Sequence, residues 1–290
     1  MRVPDEVRKC VAFVCSKSKT SHEIRPVGTA FFLSIPTSRT GNLFSYVVTA
    51  KHVVEGIRQR SEDQIVYLRV NMKSRAPEHI ATPIEKWEFH SQDLSADVAV
   101  LPGMQLDGVD CLHVPVTMVA TSGLFSSAGL GVGDEVFLTG LFVGHSGRSR
   151  NIPIVRVGTI AAMPEEPVAT KIGDIEAYLV EARSIGGLSG SPVFVHLGPM
   201  REDPVTGSYQ MLERGQFFLL GLMHGHWKVE LAAVGTDDAG EEAVNMGIAI
   251  VVPISKVLDI INQPKHAEAR RVWEEEMGTI SGGAGVGPSR

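Results

Sequence analysis

The sequence has few cysteines and no long apolar run. Its three cysteines, Cys10, Cys15 and Cys111, are odd in number and match no metal-ligand spacing, which argues against a disulfide framework and for a reducing compartment. No stretch is long and apolar enough to span a bilayer, and the charged, proline-containing start MRVPDEVRKC lacks the apolar region of a secretory signal. We therefore expect a soluble, cytoplasmic protein without a membrane partner.

An excess of positive charge is also absent. The chain has 27 Lys and Arg residues against 33 Asp and Glu residues, which gives a net charge of -6. The summed field should repel a phosphate backbone, so nucleic acid is not an expected partner. What the sequence does have is apolar content: 290 residues that are 43% hydrophobic can bury a sizeable core, and β-rich enzymes of this length often form two packed halves.

Short runs of β-branched and aromatic residues, separated by turn residues, recur along the chain and predict an all-β fold. Residues 121–133 are rich in serine and glycine and poor in both helical and strand periodicity, so we place the connector between two halves there. The predicted organisation is a first half over residues 1–120, a second half over residues 121–263 and a C-terminal segment over residues 264–290.

One helix is predicted near the end of the chain. Apolar residues recur at the spacing of a single helical face over residues 254–262, and we expect this helix to dock on the second half. The charged residues 265–277 suggest a second helix, which could bind a protein activator or simply present a solvated face. Residues 278–290 form a glycine- and serine-rich tail that is too polar to fold alone.

Three local patterns carry the residue types that acyl transfer needs. A serine hydroxyl is a poor nucleophile at neutral pH, so it requires an imidazole to take its proton and a carboxylate to hold the tautomer of that imidazole. The histidine is His52, which ends the segment YVVTAKH. The carboxylate is Asp97, directly before the apolar run VAVL, a position that Asp93 does not share. The serine is Ser189, within GGLSGSPVF, and it is the candidate nucleophile.

These patterns resemble the TAxH, DxAxL and GxSGxP signatures of the trypsin/chymotrypsin-like serine proteases. The segment VGTAFF at residues 27–32 is similar to the GTGFxL strand of bacterial HtrA-like and glutamyl-endopeptidase-like members, and the likeness covers about residues 9–262. The chain order of histidine, aspartate and serine is that of chymotrypsin and differs from that of subtilisin. The resemblance implies two packed six-stranded antiparallel β-barrels with a C-terminal helix, a polypeptide substrate, and neither a metal nor an organic cofactor.

The loop around Ser189 carries two further expectations. The backbone N–H groups of Gly187 and Ser189 should form the oxyanion hole, since a glycine can turn its amide toward the reacting carbonyl. Leu188 stands where extracellular members of the family keep an aspartate that captures a newly cleaved N-terminus. We therefore predict a site that is preformed on folding or ordered by a partner.

Substrate contacts are predicted from the same resemblance. Arg183 falls where the family places the base of the P1 pocket, and a basic floor would favour an acidic side chain; Arg183 could equally be an outward-facing strand residue. His224, Gly225 and His226 fall on the strand that pairs with substrate and could line the opposite wall. The HxH spacing could suggest a metal, but alternate strand residues merely share a face and no third ligand is in evidence, so we expect none.

The predicted function is a serine endopeptidase that acts through an acyl-enzyme intermediate. The alternative is a protease-shaped module that binds peptides without cleaving them. An esterase would use the same residues.

Overall fold

Strands make up most of the secondary structure, in agreement with the all-β prediction. The computed structural model describes residues 2–37, 43–104, 106–183, 186–202, 206–211, 216–230 and 243–282. Within those ranges, no helix combines the length and the apolar character needed to cross a bilayer.

The first half is built on one open, mostly antiparallel sheet of eight strands. These strands are β1 Val11–Lys17, β2 Ile24–Pro36, β3 Leu43–Thr49, β4 Ile65–Val70, β5 Glu78–Pro83, β6 Glu88–Phe89, β7 Ala99–Pro102 and β8 Val114–Pro115. Their order is β5-β4-β1-β2-β3-β7-β6, and β8 pairs in parallel with β2. This sheet forms the first of the two predicted barrels as a half-barrel, because its end strands β5 and β6 do not pair with each other in the described part of the chain.

The second half is a closed antiparallel barrel of six strands, as the resemblance implied. Its strands are β9 Glu135–Gly140, β10 Ile154–Ala162, β13 Tyr178–Glu181, β14 Pro192–Leu197, β17 Gln216–Glu230 and β18 Ala243–Pro253. Two short hairpins extend from it: β11 Val168–Thr170 with β12 Gly173–Ile175, and β15 Met200–Glu202 with β16 Tyr209–Met211.

The two halves share one buried hydrophobic core. Phe31 and Val47 of the first half and Phe137, Phe194 and Leu222 of the second belong to a single cluster of buried side chains. The rings of Phe137 and Phe194 stack with their centroids 5.1 Å apart, an offset contact that adds to the free energy of apolar burial. Because this apolar burial is shared, the halves are held against each other along their joint.

A short helix, α2 (Ser122–Ala128), lies in the connector that shows no periodicity in the sequence. The side chain of Thr121 accepts a hydrogen bond from the N–H of Leu124 at 3.3 Å, and Gly129 ends the helix with a φ of 57°. A capping side chain before a helix and a left-handed glycine after it are common end signals. These end signals therefore stabilise helix α2 in a segment whose sequence lacks apolar periodicity.

The predicted C-terminal helix is present as α3 (Ser255–Ile261). It lies beside β18 of the second half and also beside β7 of the first half. His90 of the first half contacts the carboxylate of Asp259 at 3.3 Å. The expected docking on the second half is therefore confirmed, and the helix also covers the first half, because the core beneath it belongs to both halves.

A further helix, α4 (Pro264–Gly282), packs against the first half. The ring of Trp273 lies edge-to-face on Phe44, with the centroids 5.7 Å apart, and the guanidinium of Arg270 donates to the Tyr46 hydroxyl at 2.6 Å. The charged segment is thus helical as predicted, and it continues through residues 278–282, which the sequence placed in the tail. The rest of that tail, residues 283–290, lies outside the described residues.

Candidate active site

His52 lies at the point where the first half changes from strand to helix. Strand β3 ends at Thr49, Ala50 is the N-cap, and helix α1 (Lys51–Arg60) begins one residue before His52. The side chain of Ala50 cannot accept the free N–H groups of the first turn. The carboxylate of Asp97 does so instead, accepting from the His52 N–H at 2.8 Å. A carboxylate at this end also faces the positive end of the helix dipole.

Strand pairing explains why His52 and Asp97 meet. Strands β3 and β7 are antiparallel, with Thr49 opposite Ala99, so the residue that follows β3 and the residue that precedes β7 reach the same edge of the sheet. The Nδ1 atom of His52 lies 2.7 Å from Oδ2 of Asp97. Because an ionised carboxylate only accepts hydrogen bonds, the proton is on Nδ1, and the neutral imidazole keeps Nε2 as an acceptor.

Asp97 is fully buried and has a second histidine partner. The Nδ1 atom of His224 lies 2.5 Å from the same Oδ2 atom. Burial is the largest single effect and raises the pKa of Asp97, but the hydrogen bonds from His224 and from His52, together with the electrostatic attraction of the same two rings, lower it by more. The pKa of Asp97 is therefore held well below its ordinary value, and the carboxylate is ionised throughout the neutral range.

Ser189 lies in a tight turn that is bonded to both halves. Its carbonyl accepts from the N–H of Thr29 in the first half at 2.9 Å, and the N–H of Gly190 donates to the carbonyl of Met223 at 2.7 Å. Gly190 has a φ of 83°, and a Cβ there would overlap the carbonyl oxygen of Thr29. Only glycine fits this turn without strain.

The hydroxyl of Ser189 donates to the main-chain carbonyl of His224 at 3.0 Å. The structure places Ser189 and His52 on the same cleft, but it does not join them by a hydrogen bond. Of the predicted triad, the link between the imidazole and the carboxylate is therefore formed, and the link between the hydroxyl and the imidazole is not.

The predicted oxyanion hole lies beside this turn. Gly187 has a φ of 98°, and its carbonyl accepts from the Thr29 hydroxyl at 2.8 Å. A Cβ on Gly187 would lie 2.9 Å from Val143 and 3.0 Å from Leu141, so this position also suits glycine. Among the described residues, none accepts a hydrogen bond from the N–H of Gly187 or of Ser189. Neither N–H group is thus paired with another acceptor in the described part of the chain.

A cleft of about 550 Å³ brings most of the predicted site residues together. Those that line it are His52, Ser189, His224, Gly225 and His226. The turn of the β11–β12 hairpin forms another part of its lining. The atoms of His52, Asp97 and His224 that could bind a metal lie within 4.8 Å of one another, but the two imidazole nitrogens are hydrogen-bonded to the carboxylate.

Arg183 is not part of this cleft. Its side chain is exposed and lines a separate concavity together with Glu181, Met246 and Gly247. The prediction that Arg183 forms the base of a pocket beside Ser189 is therefore corrected. The other interpretation, an outward-facing residue beyond the end of strand β13, fits the structure.

Two site residues make contacts that were not expected. His224 lines the cleft, as predicted, but its ring also binds Asp97. Thr29 was not predicted as a site residue, yet its buried hydroxyl donates to Gly187 and accepts from the N–H of Leu141 at 2.9 Å. The signal available in the sequence was a threonine directly before an apolar run. If such a residue is buried with the run, its hydroxyl normally has hydrogen-bond partners.

Comparisons with known proteins support the fold. No protein-family model matches the chain, and no curated protein matches its sequence. Among solved structures, the chain is similar to the apo crystal structure of the MamO protease domain from Magnetospirillum magneticum, with a TM-score of 0.52 and 15% sequence identity. The match covers 89% of this chain and 99% of that domain. The chain therefore has a chymotrypsin-like fold, with a closed second barrel, an open first sheet and a cleft that holds His52 and Ser189.

Proposed function

We propose that this protein is a serine endopeptidase in which His52, Asp97 and Ser189 act as the catalytic triad. The observation that carries the proposal is the pair of hydrogen bonds from His52 to the buried Asp97, next to a serine that lines the same cleft. An imidazole that is held in one tautomer by an ionised carboxylate is what a serine nucleophile needs as its base.

The proposed reaction is acyl transfer. Nε2 of His52 takes the proton of Ser189 as the serine oxygen attacks the carbonyl carbon of the substrate, and the N–H groups of Gly187 and Ser189 stabilise the negative charge on the carbonyl oxygen. The protonated imidazole then gives its proton to the leaving amine. Water attacks the resulting ester by the same route in reverse, and Asp97 orients His52 throughout.

One movement must precede this chemistry. The Ser189 hydroxyl donates to the carbonyl of His224, so it must exchange that acceptor for Nε2 of His52. Catalytic hydrogen bonds are often unmade in ligand-free enzymes and form only with substrate bound.

A fluorophosphonate probe tests the proposal, because it forms a stable bond only with an activated serine. We expect the wild type to be labelled and the variants Ser189→Ala, His52→Ala and Asp97→Asn not to be, since loss of a triad nucleophile costs on the order of 10⁶ in rate. Ser191→Ala is the matched control. Its hydroxyl is buried without a partner among the described residues, so its removal should leave labelling intact.

The second candidate is a module that binds peptides in the same cleft without cleaving them. The observation that favours it is the contact of the Ser189 hydroxyl with a carbonyl group in place of the imidazole. A wild type that binds peptides but resists the probe would support this candidate and refute the protease.

The binding of a protein activator to the C-terminal segment stays a prediction. Part of that segment already contacts the first half through Arg270 and Trp273. An activator would therefore meet the exposed face of α4, which carries ion pairs such as that between Arg271 and Glu268.

A further inference from the structure

We infer that His224 is a positioning residue, which aligns the acid of the first half with the nucleophile of the second. This inference rests on the proposed protease function. The residue contacts both groups at once: its ring Nδ1 lies 2.5 Å from Oδ2 of Asp97, and its carbonyl accepts from the hydroxyl of Ser189 at 3.0 Å.

The backbone before His224 is fixed to the nucleophile turn. Met223 donates its N–H to the carbonyl of Ser191 at 2.9 Å, and its own carbonyl accepts from Gly190 at 2.7 Å. The pairing of β17 with β18 then shifts register between Met223 and Gly225. Such a bulge re-aims the side chain at its centre. The ring of His224 consequently reaches Asp97 across the joint between the halves.

The charge on Asp97 explains why a second donor matters. A buried carboxylate is costly unless its oxygens are hydrogen-bonded, and it has room for about four such bonds. Three of these bonds are described: two from His52 and one from His224. The side chain of His52 is 32% exposed, whereas that of His224 is 13% exposed. His224 is thus the better shielded of the two ring donors.

The two imidazoles also contact each other. Their ring centroids lie 5.1 Å apart at an interplanar angle of 72°, so the edge of one ring faces the other. His224 therefore restricts His52 directly as well as through the shared Asp97. A purely substrate-binding histidine would need neither contact.

Nuclear magnetic resonance of protein labelled with ¹⁵N-histidine tests the contact without relying on activity. We expect two strongly deshielded Nδ1 protons in the wild type, one from each histidine bonded to Asp97. Asp97→Asn should remove both of these signals, and His224→Leu should remove one. His226→Leu is the matched control, because His226 lines the same cleft and is not bonded to Asp97; both signals should persist in it.

Kinetics then test the positioning role. His224→Leu removes the donor, and His224→Asn keeps an amide N–H close to where Nδ1 stood. We expect kcat for peptide cleavage to fall roughly 10- to 100-fold in His224→Leu with KM almost unchanged, and to recover most of this loss in His224→Asn, because a hydrogen bond to a charged group is lost in one variant and kept in the other. Unfolding curves for both variants establish that they are folded.

Three results would overturn the inference. A single deshielded proton in the wild type, assigned to His52, would show that His224 does not bind Asp97. A rise in KM without a fall in kcat in His224→Leu would assign His224 to substrate binding. Two deshielded protons in a wild type that the fluorophosphonate never labels would refute the protease proposal and its positioning residue together, while the contact itself would stand.

Discussion

Replacement of Thr29 by valine isolates the hydrogen bonds that join the first half to the nucleophile turn. Thr29 is fully buried. Its hydroxyl donates to the carbonyl of Gly187 at 2.8 Å and accepts from the N–H of Leu141 at 2.9 Å, both in the second half. Valine has nearly the same shape but no hydroxyl, so Thr29→Val removes both bonds without leaving a cavity.

The magnitude follows from the two groups that lose their partner. A buried donor or acceptor left unsatisfied costs about 1–3 kcal/mol, so the loss of two partners in Thr29→Val should lower the free energy of unfolding by about 2–6 kcal/mol. Thr29→Ser is the matched control: it keeps the hydroxyl and loses one buried methyl group, which is worth about 1 kcal/mol. Valine should therefore destabilise the protein more than serine does.

Urea unfolding measures this difference, and the fluorophosphonate labelling rate measures its effect on the site. Because Gly187 loses the bond that holds its carbonyl, its N–H is positioned less well, and we expect labelling of Thr29→Val to be about ten- to a hundredfold slower than that of Thr29→Ser. Equal unfolding free energies for the two variants would refute the hydrogen-bond argument. A labelling rate in Thr29→Val equal to that of Thr29→Ser would show that Gly187 is positioned by other contacts.

Three further predictions concern stability and specificity. A hydrogen bond from Ser95 is the largest of the effects that lower the pKa of Asp93 to about 2. Since the pKa of an aspartate in the unfolded chain is about 3.9, Asp93→Asn should be less stable than the wild type above about pH 4. Urea unfolding should show this difference in stability disappear as the pH falls through about 2. Gly190→Ala should lower the free energy of unfolding by more than the roughly 1–2 kcal/mol of left-handed strain, because its Cβ would also overlap a backbone carbonyl of β2. Gly186→Ala is the control and should be tolerated, because nothing lies within 4 Å of the added Cβ. Among the described residues that line the cleft, Lys171 is the only lysine and there is no arginine, aspartate or glutamate, so a peptide-library profile should show a preference for acidic substrates that Lys171→Glu abolishes.

The sequence could predict the parts of the site that depend on local pattern. His52 and Asp97 each stand next to an apolar strand, and the pairing of β3 with β7 joins the two strand ends. The glycines around Ser189 indicate a tight turn, and the positive φ angles of Gly187 and Gly190 agree with this. These features are local in the chain, so residue types and their spacing are enough to find them.

Features that depend on non-local geometry could not be predicted in this way. The face that His224 presents is set by the bulge in β17, and a single extra residue reverses the alternation on which a strand pattern depends. The resemblance places Arg183 at the base of the P1 pocket, but a local likeness in sequence does not determine which way a residue beyond the end of strand β13 faces. The open first sheet follows from β5 and β6 lying at opposite ends of the strand order, and no property of either strand alone determines that.

The candidate triad is divided between two halves, so its alignment depends on the bonds that cross the joint. These bonds lie on several sides of the cleft: Thr29 bonds the nucleophile turn, His224 bonds Asp97, and Lys256 of α3 pairs with Asp93 of the first half and Glu176 of the second, at 2.9 and 2.7 Å. Neither half contains the whole site. The two candidate functions therefore share the same scaffold and differ only in whether the hydroxyl of Ser189 can leave one acceptor for another, which is why the labelling of that single oxygen decides between them.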